Sequence, residues 1–214
     1  MLITDFHQKA NLFNSFFAKQ CTIVQNNSLL PPFSLLTGLS IESLEINSTE
    51  IKNILCKLQP SKSHGWDGIS IRMIKLCGDS IVEPLKLIFE NCIRSSVFPI
   101  LWKRGNIVPV HKKNSKQEIK NYRPISLLPI FSKVFEKIIF NEIYKYFNAN
   151  HLFCINQSGF RPGDSCTNQL IAITHNIFKA FDCNPSLDVR GVFLDISKAF
   201  EKCPEKDKKG KVRV

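Results

Sequence analysis

Residues 188–200 read Asp-Val-Arg-Gly-Val-Phe-Leu-Asp-Ile-Ser-Lys-Ala-Phe, and one carboxylate in them constrains the fold more than any other side chain. Val189, Val192, Phe193, Leu194 and Ile196 form a mostly apolar run, the pattern of a strand covered on both faces. Asp195 interrupts that run. An unpaired carboxylate in such surroundings is neutral or costly, so the functional reason to place one there is a metal ion or a cationic partner. A buried Asp capping the following turn, Ile196-Ser197-Lys198, accounts for the same residue without any ligand, and the run by itself favours that simpler reading.

A chain of 214 residues suits one large domain, or a domain plus a tail, and can bury a sizeable core. Its 29 Lys and Arg stand against 18 Asp and Glu, a net charge of +11 that favours a polyanion such as nucleic acid as partner. Charge alone fits a basic protein without such a partner about equally well. The eight cysteines, at 21, 56, 77, 92, 154, 166, 183 and 203, are spread singly, with no Cys-x-x-Cys and no paired His spacing. Reduced thiols are the reading, which points to a cytosolic or nuclear chain and away from a zinc site or a disulfide scaffold. The N-terminus has an early acid and no long apolar core, so a signal peptide is not expected. No apolar run approaches the roughly 20 residues of a membrane helix, so a soluble intracellular protein is expected.

Along the chain, Thr4 and Asp5 start a predicted helix with Phe6, Ala10, Phe13, Phe16 and Phe17 at helical spacing. Residues 26–46 read as a linker, polar at first and then carrying Pro31, Pro32 and Gly38. Asn47 and Ser48 cap a second helix with Ile51, Ile54, Leu55 and Leu58, stopped by Pro60. Residues 61–69, Ser-Lys-Ser-His-Gly-Trp-Asp-Gly-Ile, form a loop whose glycines permit special backbone angles. Ser70 starts a short helix closed at Gly78. A longer one follows with Ile81, Leu85, Ile88, Phe89, Cys92 and Ile93 on one face and Pro84 in its first turn.

Residues 98–113 read as a strand entering a hairpin, and the charge there is unusual. From 103 to 123 there are seven Lys or Arg (103, 104, 112, 113, 116, 120 and 123) against one acid, Glu118. Some such cations decorate any solvated loop; so dense a bias is better explained by phosphates. Residues 121–128, Asn-Tyr-Arg-Pro-Ile-Ser-Leu-Leu, come next, with Tyr122 equally suited to stacking on a base or to packing in a core. A strongly amphipathic helix over 129–147 places Ile130, Val134 and Ile138 beside Phe131, Phe135 and Ile139, and residues 148–150 end it. In residues 157–167, Gly159 and Gly163 permit a tight turn around Arg161, and Asp164 or Ser165 opens a helix carrying Leu170, Ile173, Thr174, Ile177 and Phe181.

Three of these blocks, 121–128, 157–165 and 193–200, resemble in order and spacing the reverse transcriptases of LINE-type, non-LTR retrotransposons, the jockey-like elements. Gln157, Gly159, Phe160, Arg161, Gly163 and Ser165 match one motif of that family, and Phe-Leu-Asp-Ile-Ser-Lys-Ala-Phe its first palm motif. In 61–69 Gly65, Asp67 and Gly68 match, while His64 and Trp66 stand where the family carries prolines. Residues 1–25 resemble the connector between endonuclease and polymerase, with Asn14 and Phe17 fitting, which implies an endonuclease upstream.

The resemblance implies an α+β fold: part of the right-hand reverse transcriptase fold, with helix-rich fingers, a basic β-hairpin and the first palm strand. The domains expected are 1–25 connector, 26–46 linker, 47–200 fingers and start of palm, and 201–214 tail. The activity implied is RNA-directed DNA polymerisation, with an RNA template, a DNA primer, deoxynucleotides and Mg2+ as partners, in nucleus and cytoplasm. By the same resemblance Asp195 is the first metal-binding and catalytic aspartate, and Phe200 the aromatic that excludes a ribose 2'-hydroxyl. Arg123, Arg161 and Lys112 face the incoming nucleotide, and Lys103, Arg104, Lys113, Tyr122, Gly159 and Phe160 face the nucleic acid.

After Phe200 the family pattern is lost, and 201–214 reads as a disordered basic tail left by a frameshift, a splice difference or a decayed element, ahead of a nucleic-acid-binding tail. Nucleotidyl transfer uses two metal ions about 3.5–4 Å apart, held by several carboxylates. The family supplies a pair from a later Tyr-x-Asp-Asp hairpin, and no Asp-Asp occurs in these 214 residues. The thumb is missing as well, so the chain alone is expected to be inactive. Two alternatives remain: a non-catalytic nucleic-acid-binding fragment, or a maturase-like splicing cofactor.

Overall fold

The computed structural model describes residues 3–21, 40–41, 43–183 and 188–195, with the side chains of Cys21 and Cys183 excepted. These residues form two compact units, a first running to Tyr144 and a second over Lys145–Ser197.

The first unit begins with α1 (Phe6–Cys21). Asp5 caps it as its sequence position predicts, Oδ1 accepting from the Gln8 N–H at 2.8 Å. Helix α2 (Ser48–Lys57) is capped by Asn47, which accepts from the Thr49 N–H. Ser70 caps α3 (Ile71–Cys77) through the Met73 N–H, and Gly78, at φ +57°, closes it. A 3-10 turn at Gly78–Ile81 leads into α4 (Val82–Ser95). Helix α4 ends on Ser96 in the left-handed region, φ +53°, where the Ser96 and Val97 N–H groups close onto the carbonyls of Ile93 and Cys92.

Helices α2, α3 and α4 meet α5 (Ile130–Ala149) around one apolar core. Ile51, Phe89, Ile130, Val134 and Ile138 are its most deeply buried members. Four rings fill its centre: Phe89 stacks on Phe135 at 5.0 Å, and Trp102 and Phe98 each lie 5.9 Å from Phe135. Ser132 is fully buried within this face and donates to Glu136 Oε1 at 2.8 Å, one turn along the same helix. Asn141 Nδ2 donates to Glu50 Oε1 at 2.6 Å, tying α5 to the start of α2.

Two expectations for this unit are corrected. Ile88, expected on the buried face of α4, is 45% exposed. A step of about 100° per residue puts Val82, Phe89 and Ile93 on one side of Leu85 and Ile88 on the other, and the core lies on the Val82 side. The stretch before the hairpin is not a strand but a 3-10 turn, Ile100–Lys103. Pairing begins at Asn106, where β1 (Asn106–His111) meets β2 (Tyr122–Leu127) antiparallel, from Asn106↔Leu127 to His111↔Tyr122.

The second unit holds the end of α5, a looped segment and α6 (Cys166–Cys183). Ser165 caps α6, its hydroxyl accepting from the Asn168 N–H at 3.1 Å. No described residue of this unit is buried, and Leu170, Ile171, Phe178 and Phe181 of α6 are exposed. Residues 188–195, expected as a strand, have no regular structure, and Phe193 and Leu194 are more than nine-tenths exposed. A strand exists only through its ladder partner, and among the described residues the two strands pair with each other. The described residues thus form helices with a small antiparallel sheet.

Candidate nucleic-acid interface

The hairpin presents two unlike faces, because side chains alternate along each strand and cross-strand partners share a face. Ile107, Pro109 and His111 lie with Ser126, Pro124 and Tyr122. On this side the Tyr122 ring packs edge-on against Phe13 of α1 at 4.8 Å and against His111 at 5.3 Å. The other side carries Val108, Val110, Ile125 and Arg123, all exposed.

Asn121 organises the connecting loop. Only 8% exposed, its side-chain amide donates to the Ser115 carbonyl at 2.9 Å and to Glu118 Oε2 at 3.3 Å. Its own carbonyl accepts from the Lys112 N–H at 2.8 Å. Tyr122 adds a hydroxyl donated to the Lys116 carbonyl at 2.9 Å, and His111 Nε2 lies 3.0 Å from the Asn114 carbonyl. Asn114 adopts φ +65°, a conformation that Asn tolerates better than most residues. The Asn-Tyr pair that opens the 121–128 block is thus the fastener of the loop. Of the two readings of Tyr122, the contacts describe the packing one.

That fastening matters because of what the loop displays. Lys112, Lys113, Lys116 and Lys120 are all exposed, as are Lys103, Arg104 and Arg123 on the strand side. Among the described residues only Lys120 of these seven pairs with a carboxylate, Glu118 at 3.1 Å. Like charges held at one end of a hairpin repel, and a polyanion is the partner that relieves the repulsion while releasing its own counterions.

Below the hairpin, the 61–69 loop is pressed onto the junction of β2 and α5. A Cβ on Gly65 would stand 2.6 Å from the Pro129 backbone nitrogen, so only glycine fits. Gly68 turns the chain at φ +70°. Between them Trp66 donates Nε1–H to the Leu101 carbonyl at 3.0 Å and lies 5.6 Å beneath the Arg104 guanidinium. Sequence reasoning saw this loop as special backbone and missed the indole; its signal was a large aromatic in an otherwise small, polar segment.

The second unit holds Gly159, Phe160, Arg161 and Asp195. The left-handed turn falls on Phe160 and Gly163, at φ +62° and +84°, and not on Gly159, which has open space where a Cβ would be. Phe160 is 92% exposed. Arg161 folds back over the Phe153 ring at 5.3 Å, with Nη1 3.5 Å from the carbonyls of Cys154 and Gln157. The Asp164 carboxyl is held below its ordinary value by the Ser158 hydroxyl first and the Ser165 N–H second. Ser158 also lies within hydrogen-bond reach of Gln169 Oε1. One hydroxyl proton serves one acceptor at a time, and the charged carboxylate is the stronger of the two.

Asp195 is exposed, and among the described residues no three His, Cys, Asp or Glu side chains stand together as a metal site. Phe200 and the 201–214 tail lie outside the described residues, as does most of the 26–46 linker. None of the described helices is long and apolar enough to cross a membrane.

Residues 110–209 match the family described as reverse transcriptase (RNA-dependent DNA polymerase). Over 172 residues the chain is 33% identical to the RNA-directed DNA polymerase from mobile element jockey of Drosophila melanogaster, covering 80% of this chain and 18% of that protein. It is 32% identical over 154 residues to the probable RNA-directed DNA polymerase from transposon X-element of the same fly, covering 72% of this chain and 17% of that one. A third relative, the probable RNA-directed DNA polymerase from transposon BS, is 31% identical over 169 residues, 77% of this chain and 18% of its own length. The chain thus spans under a fifth of the length of these curated relatives. With the connecting loop, β2 and the glycine turn inside the matched residues 110–209, and a third of residues shared along most of the chain, it belongs to the reverse transcriptases of jockey-like, non-LTR mobile elements.

Proposed function

We propose that this chain forms the fingers and the start of the palm of a right-hand RNA-directed DNA polymerase, and that its hairpin grips the phosphate backbone of an RNA template paired with a DNA primer. The observation that carries the reading is the Asn121-fastened loop, which displays Lys112, Lys113, Lys116 and Lys120, with Lys103, Arg104 and Arg123 on the strand side, against one acid over 103–123. Lys103, Arg104 and Lys113 contact phosphates, while Lys112 and Arg123 lie toward the triphosphate of the incoming deoxynucleotide. Phosphate contacts of this kind position a strand without reading its sequence, which suits an enzyme that copies any template.

In the second unit Arg161 serves the nucleotide, Gly159 and Phe160 the template strand, and Tyr122 supports the interface from the packed side of the hairpin. Phe200 is proposed as the residue that senses the ribose 2'-position. Asp195 is proposed as one ligand of Mg2+, whose other ligands the described residues do not supply. The domain boundaries 1–25, 26–46, 47–200 and 201–214, and a nuclear and cytoplasmic location, belong to the same proposal.

Photo-crosslinking tests it. A primer–template carrying 4-thiouridine in the RNA strand is bound to the full chain, irradiated, and the adducts located by mass spectrometry. Adducts within 103–123 are expected; adducts confined to α1–α4, or none above a no-protein control, would sink the reading. In a parallel assay with deoxynucleotides and magnesium the chain alone is expected to leave the primer unextended, because its 214 residues contain no adjacent aspartates.

A further inference from the structure

The indole of Trp66 is held in place from both ends. Gly65 is locked against Pro129, and Asp67 Oδ1 accepts from the Ile69 N–H at 3.3 Å, so the loop cannot swing. Trp66 Nε1 is fixed to the Leu101 carbonyl, within the 3-10 turn that delivers Arg104 to the base of β1. The guanidinium then rests over the ring at 5.6 Å. A guanidinium over a ring is attracted by the ring's π-electrons and keeps N–H donors for another acceptor. Among the described residues no carboxylate takes them. Arg104 is exposed, and Trp66 is itself 37% exposed.

Arg104 stands at the open end of the hairpin, two residues before the Asn106↔Leu127 pair, whereas Lys112, Lys113 and Lys116 stand at the loop end. Six strand residues at about 3.3 Å each separate the two ends by about 20 Å, several phosphates of a nucleic-acid strand. We infer that Trp66 is a positioning residue: it fixes Arg104 as the second phosphate anchor, so that a nucleic-acid backbone lies along the whole hairpin from loop to base. This rests on the nucleic-acid reading of the hairpin.

The test is a double-mutant cycle on the full chain, reading anisotropy of a fluorescein-labelled RNA–DNA hybrid across a series of potassium chloride concentrations. Arg104→Gln is expected to weaken binding about fivefold and to lower the salt slope by about one. Trp66→Leu should reproduce both changes, and the double variant should be no weaker than either single one. Trp66→Phe, which keeps a ring, should retain most of the slope. If Trp66→Leu leaves the slope unchanged, or its effect adds in full to that of Arg104→Gln, the positioning role is overturned while the interface stands. If the unmodified chain binds without salt dependence, the interface itself fails and the inference with it.

Unfolding midpoints accompany each variant. Should Trp66→Leu not fold, Arg104→Lys decides the matter: it keeps the charge without the planar stack. If placement by the indole matters, Arg104→Lys should lose salt slope nearly as Arg104→Gln does, and a slope equal to that of the parent chain would overturn the role.

Discussion

At the scale of single residues, the structure separates side chains that hold the site from those that display it. Gly65 holds it, because a methyl group would meet the backbone of Leu128 and Pro129 at under 3 Å, and backbone cannot step aside as a side chain tip can. Gly65→Ala is expected to cost about 2 kcal/mol, as overpacking does, visible as a lower urea midpoint at unchanged m-value. Asn121 holds it differently, by two side-chain hydrogen bonds and a buried amide. Asn121→Ala should cost about 1–2 kcal/mol and, more tellingly, weaken nucleic-acid binding although the residue carries no charge. Phe89, fully buried among Trp102 and Phe135, sets the scale for the core: Phe89→Ala should lose about 3–5 kcal/mol and leave the chain marginal.

At the scale of elements, what could be read from sequence was what is decided locally. Asp5, Asn47 and Ser70 announce their helices because a cap is a bond to a residue two or three positions on. The Ser96 closure of α4 escaped notice because serine gives no sign of a left-handed turn. The strand expected at 188–195 did not form because a ladder needs a partner from elsewhere in the chain, which the described residues lack. Long-range contacts were invisible for the same reason: Trp66 meets Leu101 thirty-five residues on. Helix α6 offers a local test. Asp164 is held below its ordinary value of 3.8, so its contribution is complete above that value and lost as pH falls through the lower folded-state value. Asp164→Asn should therefore remove the acid-side loss of α6 amide protection, whereas Ser165→Ala should lower that protection at every pH, by about 1 kcal/mol.

At the scale of the whole molecule, the two units differ in kind. The first encloses an aromatic and aliphatic core; in the second no described residue is buried and most apolar side chains of α6 are exposed. Amides in the first half of α5 should therefore exchange far more slowly than those of α6, and equal protection in a hydrogen-exchange experiment would contradict this division. Function is proposed where rigidity and charge coincide, on the hairpin carried by the first unit. The most direct test of that claim is the logarithm of affinity for an RNA–DNA hybrid against the logarithm of salt concentration. A straight line falling by several units is predicted, shallower by about one for each of Lys112→Gln, Lys113→Gln and Lys116→Gln. A flat line, or slopes indifferent to all three substitutions, would show that the hairpin does not hold nucleic acid.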